Sequence, residues 1–310
     1  MKKGVELFDY VFLLRPTLFF PVWTYFLAGQ SGGARTQRGS IGFFHPVHAL
    51  WLMAAVSMLM GSVFILNQIQ DVETDRRNRK LFLLANGILP LRHAYREAAV
   101  LAAVSMAIAF WTDPLFGMGF VTLFLIAGIF YNYPPTAWKN HPIFGIFVNG
   151  AGSMLIYDIG WVSGGGEQSI PPQVFAYASA VVAVFLNTTL PDRKGDEATG
   201  KITFGVRYGL GGTAFWALAF EALSFVLSLV FREWLLLIPS ALALPFFAIA
   251  AFRRRLSDTL RATKFAVSAL AAVVCVLFPA YLILIVLVFF LSRWYYKKRF
   301  HYDYPNFRVS

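Results

Sequence analysis

Six stretches of this 310-residue sequence run for roughly 20 residues or more without a charge: 16–34, 48–70, 114–138, 168–191, 234–252 and 265–292. A helix needs about that length to cross the hydrocarbon core of a bilayer. Shorter uncharged windows lie at 98–112 and 142–157, and a third, 211–231, is interrupted by Glu221. Composition agrees: 58% of residues are hydrophobic, only 14% are charged and the mean hydropathy is +0.60. Soluble domains carry nearer a quarter of their residues as charges. The sequence therefore predicts an all-α integral membrane protein with about nine spanning helices.

The net charge of +11 invites a nucleic-acid reading, which the distribution of the charge argues against. Basic residues gather in the short segments between apolar windows, as topogenic charge does, and they suit lipid headgroups. With the N-terminus in the cytoplasm, Arg76, Arg77, Arg79, Lys80, Arg92 and Arg96 fall inside, as do Lys139, Arg193, Lys194, Lys201, Arg207 and the basic run from Arg253. The opposite loops carry less: Arg35 and Arg38, Asp113, Glu167, and the pair Arg232 and Glu233. The predicted setting is a multi-pass protein of the cytoplasmic (inner) membrane.

One end conflicts. Nine spans put the C-terminus outside, yet it carries Arg293, Lys297, Lys298 and Arg299. Window 265–292 is too short for two ordinary spans, so it is read as one, with a bend at Pro279 as the alternative. Residues 1–310 then form a single polytopic domain with a tail, 293–310, outside the bundle. Lys2 and Lys3 before an apolar stretch imitate a signal peptide, but Arg15-Pro16 interrupts that stretch and a retained first helix is expected. A lone cysteine, Cys275, excludes an intrachain disulfide.

Two acidic clusters sit where apolar windows end. Asn67, Asp71 and Asp75 recur at four-residue spacing and share one helical face, drifting about 40° per step. Asp192 and Asp196 form a second pair. Side by side at a bilayer, such carboxylates repel one another unless a cation neutralises them. Hard oxygen donors suit Mg²⁺, which is held by a few carboxylates together with substrate phosphates. The alternation of spans puts both clusters, Lys139 and Arg15 on the cytoplasmic side. That convergence points to one site, opening to the cytoplasm, for a lipid diphosphate. Metal would offset charge on the departing oxygens, while an apolar, aromatic cavity would shelter an allylic cation. Asn149 falls deep enough in its span to line such a cavity, and Asn187 lies just over one turn before Asp192. Glu221 is an ionisable residue within a span and has no assigned role. Asp158 falls near the outer end of its span and reads as solvated.

These residues resemble the UbiA superfamily of intramembrane prenyltransferases. Asn67, Asp71 and Asp75 look like its NxxxDxxxD motif, and Asp192 and Asp196 like its DxxxD motif. Gly200-Lys201-Ile202-Thr203 and Val206-Arg207-Tyr208-Gly209 are similar to the family's continuation, and Tyr131-Asn132-Tyr133-Pro134-Pro135 with trailing Lys139 to its Tyr-x-x-Pro-Pro segment. The resemblance implies a helical bundle around a central cavity open to the cytoplasmic side. It implies Mg²⁺-dependent transfer of a prenyl group from a prenyl diphosphate to a lipophilic or aromatic acceptor. It makes Asp71, Asp75, Asp192 and Asp196 catalytic, and these four with Asn67 the metal ligands. Asn67, Lys139, Tyr131, Arg79, Lys194 and Asn149 are the expected substrate contacts.

There is one departure. Many members follow the first motif with Asn-Arg-Pro-x-Arg-Pro, whereas this chain has Asn78-Arg79-Lys80-Leu81-Phe82-Leu83. A cation expected near the diphosphate is missing, and Arg79 or Lys80 would have to compensate. An aromatic, quinone-type acceptor is the leading expectation. Glycerol-lipid or chlorophyll-type acceptors are the alternatives, and a cation-binding transporter is the rival class.

Overall fold

A computed structural model of the chain describes residues 4–38, 46–77, 82–167 and 170–305. Those residues are overwhelmingly α-helical, and their contacts divide them into two compact units. One contains the described parts of 4–23, 46–137 and 283–305; the other contains those of 24–38 and 138–282.

In the first unit, α1 (Leu7–Leu13) leads into a short 3₁₀ turn and then α2 (Phe19–Arg38). The break falls at Arg15, which has a left-handed backbone (φ 55°) and precedes Pro16. Proline disfavours the helical conformation in the residue before it, so one apolar stretch becomes two helices. α3 (Pro46–Gln70) is followed by the short helices α4 (Val72–Arg77) and α5 (Phe82–Ala85), then by α6 (Leu91–Thr112). α6 buries Ala94, Ala98, Ala102, Ser105 and Ala109, a stripe of small residues. Small residues let helix backbones approach where water supplies no hydrophobic drive. That approach brings the Ser62 hydroxyl on α3 to donate to the Ala98 carbonyl at 2.8 Å. α7 (Pro114–Leu123) starts at Asp113, whose carboxylate accepts from the Leu115 amide at 2.7 Å, and Pro114 takes the first helical position. It continues as a π-helical stretch, Phe124–Phe130.

The second unit holds α8 (Pro142–Ser163), α9 (Val174–Thr188), α10 (Arg193–Ala198), α11 (Phe204–Val230), α12 (Trp234–Arg253) and α13 (Leu256–Leu277), with the remainder of α2. Backbone approaches backbone closely between α2 and α8. A Cβ at Gly29 or Gly33 would run into the carbonyls of Tyr157 and Trp161, and one at Gly160 or Gly164 into those of Phe26 and Gln30. Each helix thus offers glycines four apart to the other's backbone, the small-xxx-small arrangement of membrane helix pairs. Arg35, near the end of α2, donates through one nitrogen to both carboxylate oxygens of Glu233 at 2.9 Å, and the buried Tyr177 hydroxyl adds a bond at 3.2 Å. Both members of that ion pair belong to loops assigned to the same outer side from sequence, so their contact agrees with the alternation.

Among the described residues, eight helices are long and apolar enough to cross a membrane, and two shorter apolar helices, Pro114–Phe130 and Val174–Thr188, accompany them. The chain is a multi-pass integral membrane protein. The count differs from nine at the C-terminal end. The window read as one span contains the later part of α13 and the first part of α14 (Pro279–Phe300), separated at Phe278. Charged ends supply the missing length. α13 begins with Asp258, buried and paired with Arg261 at 3.4 Å, and α14 runs through Arg293 to Arg299. Residues 293–300, expected to trail outside the bundle, are therefore helical. In the first unit Arg299 bonds both carboxylate oxygens of the fully buried Asp9, at 3.1 and 2.9 Å, and Glu6 at 2.8 Å. The end of α14 lies beside the start of α1, so the conflict over C-terminal charge disappears: both termini of the described chain share one end.

The glycine packing makes a test with an internal control. Gly160→Ala places a methyl against backbone that cannot move aside, and should destabilise the protein by about 1–3 kcal/mol. Gly150→Ala on the same helix meets only Val182 at an ordinary 3.5 Å and should be nearly neutral. Thermal unfolding in detergent, read side by side, checks the difference; equal melting temperatures would refute backbone contact between α2 and α8.

Candidate active site

The first acidic cluster lies in the first unit, where α3 gives way to α4. The helical register survives the junction. The Asp71 amide donates to the Asn67 carbonyl at 3.0 Å, and the Asp75 amide to the Asp71 carbonyl at 2.7 Å. Asn67, Asp71 and Asp75 therefore share one face, as their spacing predicts, and all three are half-buried. Between them, Glu73 points elsewhere, exposed and paired with Arg76 and Arg77.

Asn67 is oriented by a residue that sequence reasoning passed over. The side chain of Asn132, buried at 2% exposure, donates to the Ala127 and Gly128 carbonyls at 3.1 and 3.0 Å. Those carbonyls belong to the π-helical stretch. Two carbonyl acceptors fix which end of the Asn132 amide is nitrogen, and its oxygen then accepts from Asn67 Nδ2 at 2.9 Å. The Asn67 nitrogen is thus engaged, and its oxygen is the atom left to serve as a ligand.

Tyr131, an expected substrate contact, begins this same segment. Its amide donates to the Ile126 carbonyl at 3.0 Å, five residues back, and its side chain is half-buried. π-Helical turns of this kind often occur at functional sites. Tyr133 hydrogen-bonds Gln70, at the end of α3, and Tyr95. Burial, reinforced by Tyr95, pushes its phenol up to about 12, so it stays protonated at neutral pH. The tyrosine–asparagine segment is anchored to the end of α3 at two points.

The second cluster lies in the second unit, between α9 and α11. The Asp196 amide donates to the Asp192 carbonyl at 2.9 Å, so this pair also holds a helical register, on α10. Asp192 is half-buried, and Asp196 is buried at 7% exposure. Thr203, at the head of α11, donates to Asp196 Oδ2 at 3.2 Å, and the Lys201 amide takes the Asp196 carbonyl at 2.9 Å. Gly200, with φ 74°, makes the reversal that brings Thr203 back. Lys139 sits half-buried in a 3₁₀ turn, Trp138–Asn140. The neighbouring Asn140 carbonyl accepts from the Ile202 amide at 3.3 Å, which holds the Lys139 segment against the loop after Asp196. Lys194 is exposed on α10.

Other expected residues fall differently. Asn149 on α8 spends its nitrogen on its own helix, donating to the Gly145 carbonyl at 2.9 Å, with its oxygen remaining. Asn187 is fully buried and donates at 3.5 Å to the Thr259 carbonyl of α13, a contact between helices. Asp158 was read as solvated, but it is half-buried and its Oδ1 is sequestered, because α8 packs tightly at this end. Glu221 is buried within α11 and hydrogen-bonds Ser240 of α12. Arg79 and Lys80 lie outside the described residues.

The donors of both clusters are oxygen atoms, the class Mg²⁺ prefers. Among the described residues no three His, Cys, Asp or Glu side chains gather as a self-sufficient metal cage. Mg²⁺ typically takes one or two carboxylates and completes its shell with water and phosphate oxygens.

Residues 36–268 match the UbiA prenyltransferase family. Homogentisate phytyltransferase 1, chloroplastic, of Arabidopsis thaliana is 29% identical over 178 residues, which are 51% of this chain and 44% of that protein. The bacteriochlorophyll synthase 34 kDa chain of Chloroflexus aurantiacus is 28% identical over 153 residues, 49% of this chain and 47% of that one. The chain thus spans less than half the length of these curated relatives. Among solved structures, a UbiA homolog from Archaeoglobus fulgidus bound to DMAPP and Mg2+ has the same fold, with a TM-score of 0.65 at 19% identity over 86% of this chain and 99% of that one. With the family match running through most of the chain and across both acidic clusters, this protein belongs to the UbiA prenyltransferase family.

Proposed function

We propose that this protein transfers a prenyl group from a prenyl diphosphate to a lipophilic acceptor, an aromatic quinone-type precursor, with Mg²⁺ as cofactor. The observation that carries the reading is the unbroken register of Asn67, Asp71 and Asp75, with the Asn67 oxygen turned free by Asn132. Bound DMAPP and Mg²⁺ in the Archaeoglobus homolog and the Arabidopsis relative's named substrate, homogentisate, support it. The Chloroflexus relative, a bacteriochlorophyll synthase, supports a pigment acceptor as the second reading. Both clusters sit where spans end, which disfavours a transporter, whose ion sites favour the bilayer midplane. The clustering of basic residues in the segments that follow each cluster supports placing the reaction on the cytoplasmic face of the inner membrane.

Asn67, Asp71, Asp75, Asp192 and Asp196 would hold the metal. Bound Mg²⁺ supplies charge neutralisation to the departing diphosphate. The prenyl C–O bond breaks, the diphosphate leaves with the electron pair, and the allylic carbon bonds to an acceptor carbon that then loses its proton. Thr203 holds the Asp196 carboxylate in place, and Lys139 faces the developing charge on the leaving group. Tyr131, Arg79, Lys194 and Asn149 are assigned to substrate contact.

Asp71→Ala and Asp192→Ala should each lower turnover at least about 100-fold while the protein still folds, and a chelator should abolish activity that Mg²⁺ then restores. Near-normal turnover in either purified variant, or chelator-resistant activity, contradicts the proposal. Asn132→Ala should raise the Mg²⁺ concentration needed for half-maximal rate by about 10–100-fold, because Asn67 loses its orienting partner. A merely structural Asn132 would lower the melting temperature and leave the Mg²⁺ requirement unchanged. Lys139→Met should raise KM for the prenyl diphosphate and lower kcat, since the ammonium acts in both ground and transition states. Lys139→Arg should recover part of each. Normal constants per folded molecule in Lys139→Met would assign this residue to topology alone.

A further inference from the structure

In the first unit, the N-terminal turn and the end of α14 enclose a cavity of about 360 Å³ lined by Glu6, Phe8, Trp294, Tyr295, Lys298 and Arg299. That volume lies within the usual range of small-molecule sites, roughly 300–1,000 Å³. Its position is informative. The first candidate span begins at Leu7 and the last ends at Phe300, so the cavity lies where two candidate spans end.

The charges of the lining are balanced. Arg299 is taken up by Asp9, Glu6 and the Gly4 carbonyl, so its charge is already compensated. Lys298 is exposed, with its ammonium 5.1 Å from the centre of the Trp294 ring, and among the described residues no carboxylate pairs with it. Glu6 gives one oxygen to Arg299 and leaves its side chain more than half exposed. The cavity thus presents one available cation and one accessible carboxylate.

Below it runs a surface suited to acyl chains. Leu287, Phe290, Leu291 and Trp294 are exposed and recur at three- and four-residue spacing, so they share the α14 face that ends in Lys298. On α1, Phe8 and Val11 are exposed as well, and the Phe8 ring meets Trp294 edge-on at 5.8 Å. An apolar strip therefore leads from the hydrocarbon region up to a polar, two-signed cavity.

We propose that this cavity binds the headgroup of an ethanolamine phospholipid, with the phosphate at Lys298, the ammonium at Glu6 and the acyl chains along α14. Charge complementarity selects the headgroup. Glu6 and Asp9 offset the positive charges of Lys298 and Arg299, so the site has no excess positive charge to favour a purely anionic one. A primary ammonium can hydrogen-bond a carboxylate, which a quaternary choline cannot, and Lys298 already covers the Trp294 face that choline would seek.

Native mass spectrometry of the delipidated full chain tests this. The probes are phosphatidylethanolamine, phosphatidylglycerol and phosphatidylcholine of identical acyl chains, with inorganic phosphate as competitor. One phosphatidylethanolamine should be retained at least about tenfold more tightly than either other lipid. Lys298→Ala should remove that preference without changing the melting temperature, since among the described residues no carboxylate pairs with Lys298. Glu6→Gln should bring phosphatidylcholine level with phosphatidylethanolamine. Equal retention of phosphatidylglycerol, unchanged retention in Lys298→Ala, or full displacement by inorganic phosphate would each overturn the proposal, indicating respectively an anionic site, ordinary annular lipid, or a phosphate site indifferent to lipid.

Discussion

Hydrocarbon offers a backbone no hydrogen-bond partner but itself, and this constraint governs where the protein can place charge. Amides must be closed into helices before they enter the membrane, so catalytic-type polar groups gather where helices end. Asn67, Asp71 and Asp75 straddle the end of α3, while Asp192 and Asp196 follow the end of α9. At the first end, the Asp71 amide-to-Asn67 carbonyl bond carries the register past the apolar segment; after α9 the chain turns, and the Asp196 amide-to-Asp192 carbonyl bond restarts a helical register in α10. Two of the buried acids are compensated by arginine, Glu233 by Arg35 and Asp9 by Arg299.

The same constraint explains what was legible in the sequence. Windows without charge betray helices because nothing else fits there; 48–70 and 234–252 match their helices at both ends, while others miss one end by several residues. Counting failed where spans themselves carry charge. α13 opens with Asp258, Arg261 and Lys264, and α14 closes with four basic residues; a reader who stops at each charge sees one span instead of two. Asp258 is paired with Arg261, and Arg299 with Asp9 and Glu6 from the far end of the chain. Compensation between residues nearly 300 apart has no local signature. Nor does the π-helical stretch at Phe124–Phe130, whose composition is that of any apolar helix.

For the candidate site, the carboxylate spacing was legible because it is a property of one helix. The residues that orient those groups were not. Asn132 and Thr203 are small, neutral and common in loops, and their roles depend on a π-helical carbonyl pair and on a reversal at Gly200. Both stand inside segments whose family resemblance was visible, so the segments were found before their working atoms. Asp158 erred in the other direction. Distance along a helix suggested water, but the glycine-to-backbone packing of α8 closes that end.

The account turns on whether the acidic clusters hold metal against a diphosphate. Electron paramagnetic resonance of Mn²⁺, substituted for Mg²⁺ and bound together with a prenyl thiodiphosphate that resists ionisation, asks this directly. The account predicts a protein-bound Mn²⁺ signal with resolved phosphorus coupling, appearing only when the analogue is present. Mn²⁺ bound without phosphorus coupling, or analogue bound equally well in chelator, would contradict it.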